Sequence, residues 1–437
     1  MNNTALAIQF FLQVAVILAV CRLVGYVARR CGQPQVVAEM IAGVALGPSF
    51  FGYWWPEAQQ WLFPWDPSQT IRDSQSYLYP ASQLGLALYM FIVGLEFRVE
   101  ILRVRWRASV AVSLAGMLAP FLLGALLGAW MHAHTRLFSP QTERYAAMLF
   151  LGAALCITAF PMLARIIHFH GLAGTTMGTV ALGAGAMDDA CAWCLLAVVL
   201  AGFDESWHQA LVTILGAVVF VTTAVLVLRR LLLRFRQYFL REEQLTDTGM
   251  ALALAVMALM AWATDSLGLH TVFGAFVAGA IMPRGAIARQ LAERLQPLTV
   301  ALLLPLFFVY SGLNTRIGLL DTLEAWGLCA LVLAAAIAGK GIACAAAAHW
   351  SGLRAPDALG VGILMNARGL MELIIINIGL ERGVISPALF AMLVIMAVVT
   401  TLMTGPLFRL WVAPHRELDQ CASGHPAPDV SSPTLPT

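Results

Sequence analysis

The chain has a single lysine, Lys340, inside an apolar segment that runs from about Ala325 to Ala348. Every other basic side chain is arginine, and most of these sit in short gaps between apolar segments. An ammonium at the middle of a bilayer costs roughly 2.5–3.5 kcal/mol on insertion scales, so it persists where it faces a protein interior or wet cavity and meets a partner. The best partners are Asp188 and Asp189, adjacent carboxylates in the middle of another apolar segment, Thr175 to Ala201. Two acids and one base at membrane depth suggest a pathway for an ion or a proton.

The elements that position these groups follow from composition. Hydrophobic residues make up 60% of the 437, charged residues only 11%, and the mean hydropathy is +0.79, which excludes a soluble domain. Continuous apolar runs separated by short polar gaps allow roughly 13 spanning helices. They are expected over 6–28, 35–51, 77–97, 108–131, 145–167, 172–201, 208–233, 248–266, 270–283, 298–313, 323–348, 357–380 and 388–412. The 270–283 and 298–313 runs are short enough to be tilted, broken or re-entrant. A membrane barrel needs alternating strands, so the fold class is an all-α polytopic membrane protein.

Arginines mark the sides. Alternate gaps, starting with the first, hold Arg29, Arg30, Arg98, Arg103, Arg105, Arg107, Arg229, Arg230, Arg234, Arg236, Arg241, Arg284, Arg289, Arg294 and Arg354; the others hold only Arg72, Arg136, Arg144, Arg316 and Arg382. That bias puts the N-terminus outside and the C-terminus in the cytoplasm. The leading residues MNNTALAIQ carry no positive charge, unlike a cleavable signal. Trp54, Trp55, Trp61 and Trp65 read as interfacial anchors of a surface segment. Residues 1–412 form one membrane domain, and the Pro-rich 413–437 reads as a disordered cytoplasmic tail with no soluble regulatory domain.

Other polar motifs carry plainer readings. Cys191 and Cys194 form a CxxC without further ligands at fixed spacing, which is ordinary small-residue packing. Gly183-Ala184-Gly185-Ala186 lets helices approach closely. His132, His134, His168 and His170 read as solvated interfacial residues, and Glu39 and Glu96 as packing or entrance residues near the faces.

Two segments interrupt their own helices. The fifth contains Thr158 and Pro161, which free backbone carbonyls near mid-membrane; the twelfth contains Asn366, Arg368, Gly369 and Glu372 inside an apolar run. Arg368 and Glu372 stand i,i+4 and pair on one face, neutralising half-helix ends. Segments five and twelve correspond in two halves, one to six and eight to thirteen. Paired interruptions of this kind mark inverted-repeat transporters, with half-helix ends aimed at a midplane site.

The stretches ITAFPMLAR (157–165), MDDACAWCLLAVVLA (187–201) and MNARGLMELIIINIGLERGVIS (365–386), with VVAEMIAGVALGPS (36–49) and MFIVGLEF (90–97), resemble the monovalent cation:proton antiporter family 2. The resemblance covers nearly all of 6–412 and is closest to the branch of plant and fungal cation/proton exchangers. It implies an inverted-repeat antiporter fold with two crossed broken helices, and a homodimer; the expected location is a bacterial inner membrane. It maps ion binding to Asp189, a membrane charge partner to Lys340, Thr158 and Pro161 to the first crossing helix, and Asn366, Arg368 and Glu372 to the second. The exchanger branch has Asn where Asp188 stands and Thr where Ala367 stands. An Asp-Asp pair with a lysine resembles the electrogenic sodium/proton antiporters of the same superfamily.

The residues then suggest a transporter, not an enzyme, in which Na⁺ or K⁺ and a proton compete for Asp189. Thr158 and freed carbonyls would add oxygen ligands, and Asp188 would pair with Lys340. No cofactor and no nucleic acid enter this reading. A channel or an organic-anion symporter with a similar inverted repeat explains the broken helices equally well. An intramembrane aspartyl protease needs its acids on facing helices, whereas Asp188 and Asp189 are adjacent on one.

Overall fold

The computed structural model describes residues 3–30, 33, 35–64, 78–96, 105–172, 175–203, 207–241, 244–267 and 270–411. Trp65, the gap arginines Arg72, Arg98 and Arg103, and the tail 413–437 lie outside the described residues. The chain folds into α1 (Asn3–Arg30), α2 (Gln35–Leu46), α3 (Phe51–Trp54), α4 (Pro56–Leu62), α5 (Leu78–Glu96), α6 (Trp106–His134), α7 (Arg144–Cys156), α8 (Phe160–Phe169), α9 (Thr176–Phe203) and α10 (Trp207–Thr223). It continues through α11 (Arg229–Arg234), α12 (Arg236–Phe239), α13 (Asp247–Ser266), α14 (Thr271–Ile281), α15 (Ala286–Leu298) and α16 (Leu304–Leu313). Last come α17 (Leu323–Trp350), α18 (Ala355–Leu364), α19 (Leu370–Glu381) and α20 (Pro387–Trp411). A two-residue antiparallel hairpin, Leu240–Arg241 with Gln244–Leu245, joins α12 to α13.

The expected spans fall on these helices, and eight helical stretches among the described residues are long and apolar enough to cross a membrane. Side-chain caps start several of them. Thr246 accepts from the Gly249 N–H at 2.9 Å at the head of α13, and Thr322 from the Ala325 N–H at 3.1 Å at the head of α17. Trp54, Trp55 and Trp61 are exposed on α3, α4 and the residue between them, as an interfacial segment requires.

The 298–313 run is neither isolated nor short. It continues backwards through a π-helical stretch, Thr299–Leu303, into α15, so the gap holding Arg289 and Arg294 is helical. Charge hid the helix, but Ile287, Ala288, Leu291, Ala292 and Leu295 are buried at helical spacing. Arg289 and Glu293 pair on the exposed face at 3.7 Å. The 270–283 run is α14, eleven residues long.

Two sets of helices result. In one, α2 packs on α16 and α5 on α14; by the half-to-half correspondence, each pair is the inverted copy of the other. Both pairs meet backbone to backbone. A Cβ on Gly312 would stand 2.1 Å from Gly43 C, and one on Gly279 would stand 2.1 Å from Phe91 O. In the second set, α6, α9, α17 and α20 pack around the two interrupted helices, α7–α8 and α18–α19.

Candidate ion-binding site

The interruptions predicted in segments five and twelve are real breaks. Helix α7 stops at Cys156 and α8 starts at Phe160; α18 stops at Leu364 and α19 starts at Leu370. The two breaks touch, with the Ala159 N–H donating to Ala367 O at 3.3 Å. Pro161 takes the second position of α8, where a missing N–H leaves no helical hydrogen bond unmade.

Each break exposes helix ends in the interior, and fixed charges meet them. The last carbonyls of α7 carry partial negative charge. Arg368 donates to Ala154 O at 3.0 Å and Leu155 O at 2.6 Å, and Lys340 donates to Cys156 O. The opposite end, the start of α8, points its Phe160 N–H at Asp189 Oδ1, 3.4 Å away. Glu372 lies in the first turn of α19 and accepts from Arg368 at 3.4 Å. On the far side, Thr401 of α20 accepts from the Arg368 N–H at 3.1 Å and donates to Arg368 O at 2.8 Å. Thr401 thus serves the second break as Asp189 serves the first.

The two aspartates of α9 sit in unlike surroundings, though both are buried. Asp188 Oδ2 accepts from the Thr158 hydroxyl at 2.6 Å and lies 3.4 Å from Lys340 Nζ; its Oδ1 accepts from the Ser113 hydroxyl at 2.7 Å. Asp189 has the long Phe160 contact on Oδ1, and its Oδ2 has no hydrogen-bond partner among the described residues. Asn366 donates to Gly362 O at 2.9 Å, while its Oδ1 and Glu372 Oε2 are likewise unpartnered among the described residues. Asp188, Asp189, Thr158, Lys340, Asn366, Arg368 and Glu372 are all buried around the crossing.

Thr158 was expected beside Asp189, and its hydroxyl bonds Asp188 instead. Ser113 escaped the sequence reading altogether. A single serine in an apolar helix is ordinary, and only its spacing from Ser109, i,i+4 on one face of α6, hints at a shared polar neighbour. Among the described residues no cluster of three His, Cys, Asp or Glu side chains has the geometry of a resident metal site. Cys191 is exposed on α9.

A family model described as sodium/hydrogen exchanger, transmembrane, matches residues 15–413. The chain is 38% identical to the Na(+)/H(+) antiporter NhaS4 of Synechocystis over 94% of its own length and 99% of that protein's. It is 34% identical to the cation/H(+) antiporter 17 of Arabidopsis thaliana and 30% to the K(+)/H(+) antiporter 1 of Saccharomyces cerevisiae, spanning 49% and 47% of those longer proteins. Among solved structures, the sodium proton antiporter MjNhaP1 of Methanocaldococcus jannaschii superposes with a TM-score of 0.67 at 14% identity, covering 92% of this chain and 97% of that one. That likeness concerns the fold. The sequence match runs through both broken helices and the helices packed against them, and the chain belongs to the transmembrane sodium/hydrogen exchanger family.

Proposed function

We propose that the protein exchanges a monovalent cation, Na⁺ or K⁺, for protons, the two competing at Asp189. One observation carries the reading: Asp189 is buried beside a helix break, and its Oδ2 has no partner among the described residues. A buried carboxylate so placed is stabilised by taking up positive charge, and a proton or a hard monovalent cation supplies it. Occupancy by one excludes the other, and that exclusion couples the two fluxes. Thr158 gives its proton to Asp188, so the lone pairs of its oxygen are the second ligand we assign to the cation, with carbonyls of the 157–159 break. Relatives named for Na⁺, K⁺ and unspecified cations support the exchange and keep both ions in the proposal.

We place this multi-pass protein in a bacterial inner membrane, and the arginine distribution supports an N-terminus outside and a C-terminus in the cytoplasm. A homodimer completes the reading. The deciding experiment is Asp189→Asn in everted vesicles at matched expression, reading the collapse of ΔpH on adding salt. Asn keeps the shape but neither releases a proton nor offers full negative charge, so exchange is lost. Near-normal exchange by the variant overturns the assignment, and a wild type that moves cations without moving protons favours a channel.

A further inference from the structure

We infer that Ser113 of α6 is a positioning residue for exchange: it holds Asp188 as the standing anion of the Lys340 pair, leaving Asp189 alone to trade protons for cations. The inference rests on the exchange reading above and adds the residue that sets the two acids apart.

The geometry is asymmetric. Asp188 receives donors on both oxygens from three separate elements: Ser113 from α6 at 2.7 Å, Thr158 from the break at 2.6 Å, and Lys340 from α17 at 3.4 Å. A carboxylate gripped on both oxygens cannot turn towards another partner, and each donor favours its charged form. Ser113 is the sole hydrogen-bond donor to Oδ1 among the described residues. Asp189, one residue on, has a single 3.4 Å contact.

Ser113 is also built into place rather than merely nearby. One turn earlier on the same face of α6, Ser109 packs against Gly183 of α9, where a Cβ would stand 2.5 Å from its Oγ. Ser109 also donates to Val180 O at 3.4 Å. That close approach brings α6 within hydroxyl reach of Asp188, and Ser113 itself is 2% exposed. The charged and titratable groups around Asp188 are Lys340 and Cys344 on α17, Asp189 beside it, Cys156 at the end of α7, and Arg368 and Glu372 at the second break.

Removing the Ser113 hydroxyl frees Oδ1, so Asp188 can turn on its stem and loosen from Lys340, and the neighbouring Asp189 loses its fixed setting. The test measures cation-driven exchange in everted vesicles for wild type, Ser113→Ala and Ser113→Thr across cation concentration. One lost charge-assisted hydrogen bond raises the alanine variant's half-saturating cation about tenfold, with saturated turnover less affected. Threonine, which keeps the hydroxyl, restores the wild-type half-saturation. A uniform loss of rate with an unmoved half-saturation overturns the inference and makes Ser113 a packing residue. If the wild type shows no cation-driven exchange, the exchange reading fails instead. The grip on Asp188 is then decided by melting of purified protein, where Ser113→Ala must cost less in an Asp188→Asn background than in wild type. Equal losses overturn it.

Discussion

Replacing Lys340 with methionine keeps an unbranched side chain of similar reach and removes the charge. Asp188 retains its two hydroxyl donors, at 2.7 and 2.6 Å, and loses the cation at 3.4 Å. Breaking a buried pair from one side costs about 3–5 kcal/mol when the remaining charge stays. Asp188 has an escape, which is to fold with a proton bound. From a reference carboxylate pKa of about 3.9, that proton costs about 4 kcal/mol at pH 7 and about 1.5 kcal/mol at pH 5. The folded variant binds one more proton than its unfolded chain, so its stability falls as pH rises. With Asp188 the anion of the Lys340 pair, as inferred above, the wild type carries no such slope from this residue. Thermal melting in detergent at pH 7 and pH 5 reads the difference. The gap between variant and wild type shrinks to roughly a third at the lower pH, and Asp188→Asn added to Lys340→Met recovers most of the loss at pH 7. A gap that ignores pH refutes the reasoning and assigns Lys340 a packing role.

Thr158→Val removes a hydroxyl of nearly the same shape; it raises the half-saturating cation concentration more than it slows saturated turnover, and an unchanged half-saturation in vesicles shows that Thr158 is no ligand. We expect exchange to be electrogenic, with Lys340 shedding its proton when a cation at Asp189 loosens the Asp188 pair. One net charge is worth roughly 2.3 kcal/mol per 100 mV, about fiftyfold in the gradient sustained. Liposomes with a valinomycin-clamped potential check this, using a clamping ion that is not the substrate, and a rate indifferent to potential refutes it. Gly312→Ala places a methyl 2.1 Å from Gly43 C; backbone has no room to yield, so melting falls by about 1–3 kcal/mol or more, whereas Gly318→Ala, with open space around it, melts as wild type.

Much of this fold was open to reading because the membrane imposes it: apolar runs of about twenty residues have few alternatives to a helix. The breaks were readable too, since Thr158, Pro161, Asn366 and Arg368 cluster at the middle of largely apolar runs. Where charge and burial disagree, the reading failed. Arg284 to Arg294 looks like a gap, yet alternate faces of α15 are polar and buried. At the site, the expected pairs Asp188–Lys340 and Arg368–Glu372 each stand 3.4 Å apart, whereas the hydroxyls that grip Asp188 were not legible. Nothing local distinguishes Asp188 from Asp189; the register of α9 against α6 and the first break decides which acid collects the donors. Ser113 became significant only through a contact 75 residues away in the chain.

Thr401 stands to the second break as Asp189 stands to the first, and it bonds the backbone there without carrying charge. A scaffold made of two like halves had two equivalent places for an acid, and only one of them is ionisable. A hydroxyl satisfies the exposed backbone as well as a carboxylate does, so the duplicated architecture survives while the chemistry is single-copy. In the exchange proposed above, the second half then supplies the matching break and its polar cap, but no second carboxylate at which an ion could be traded.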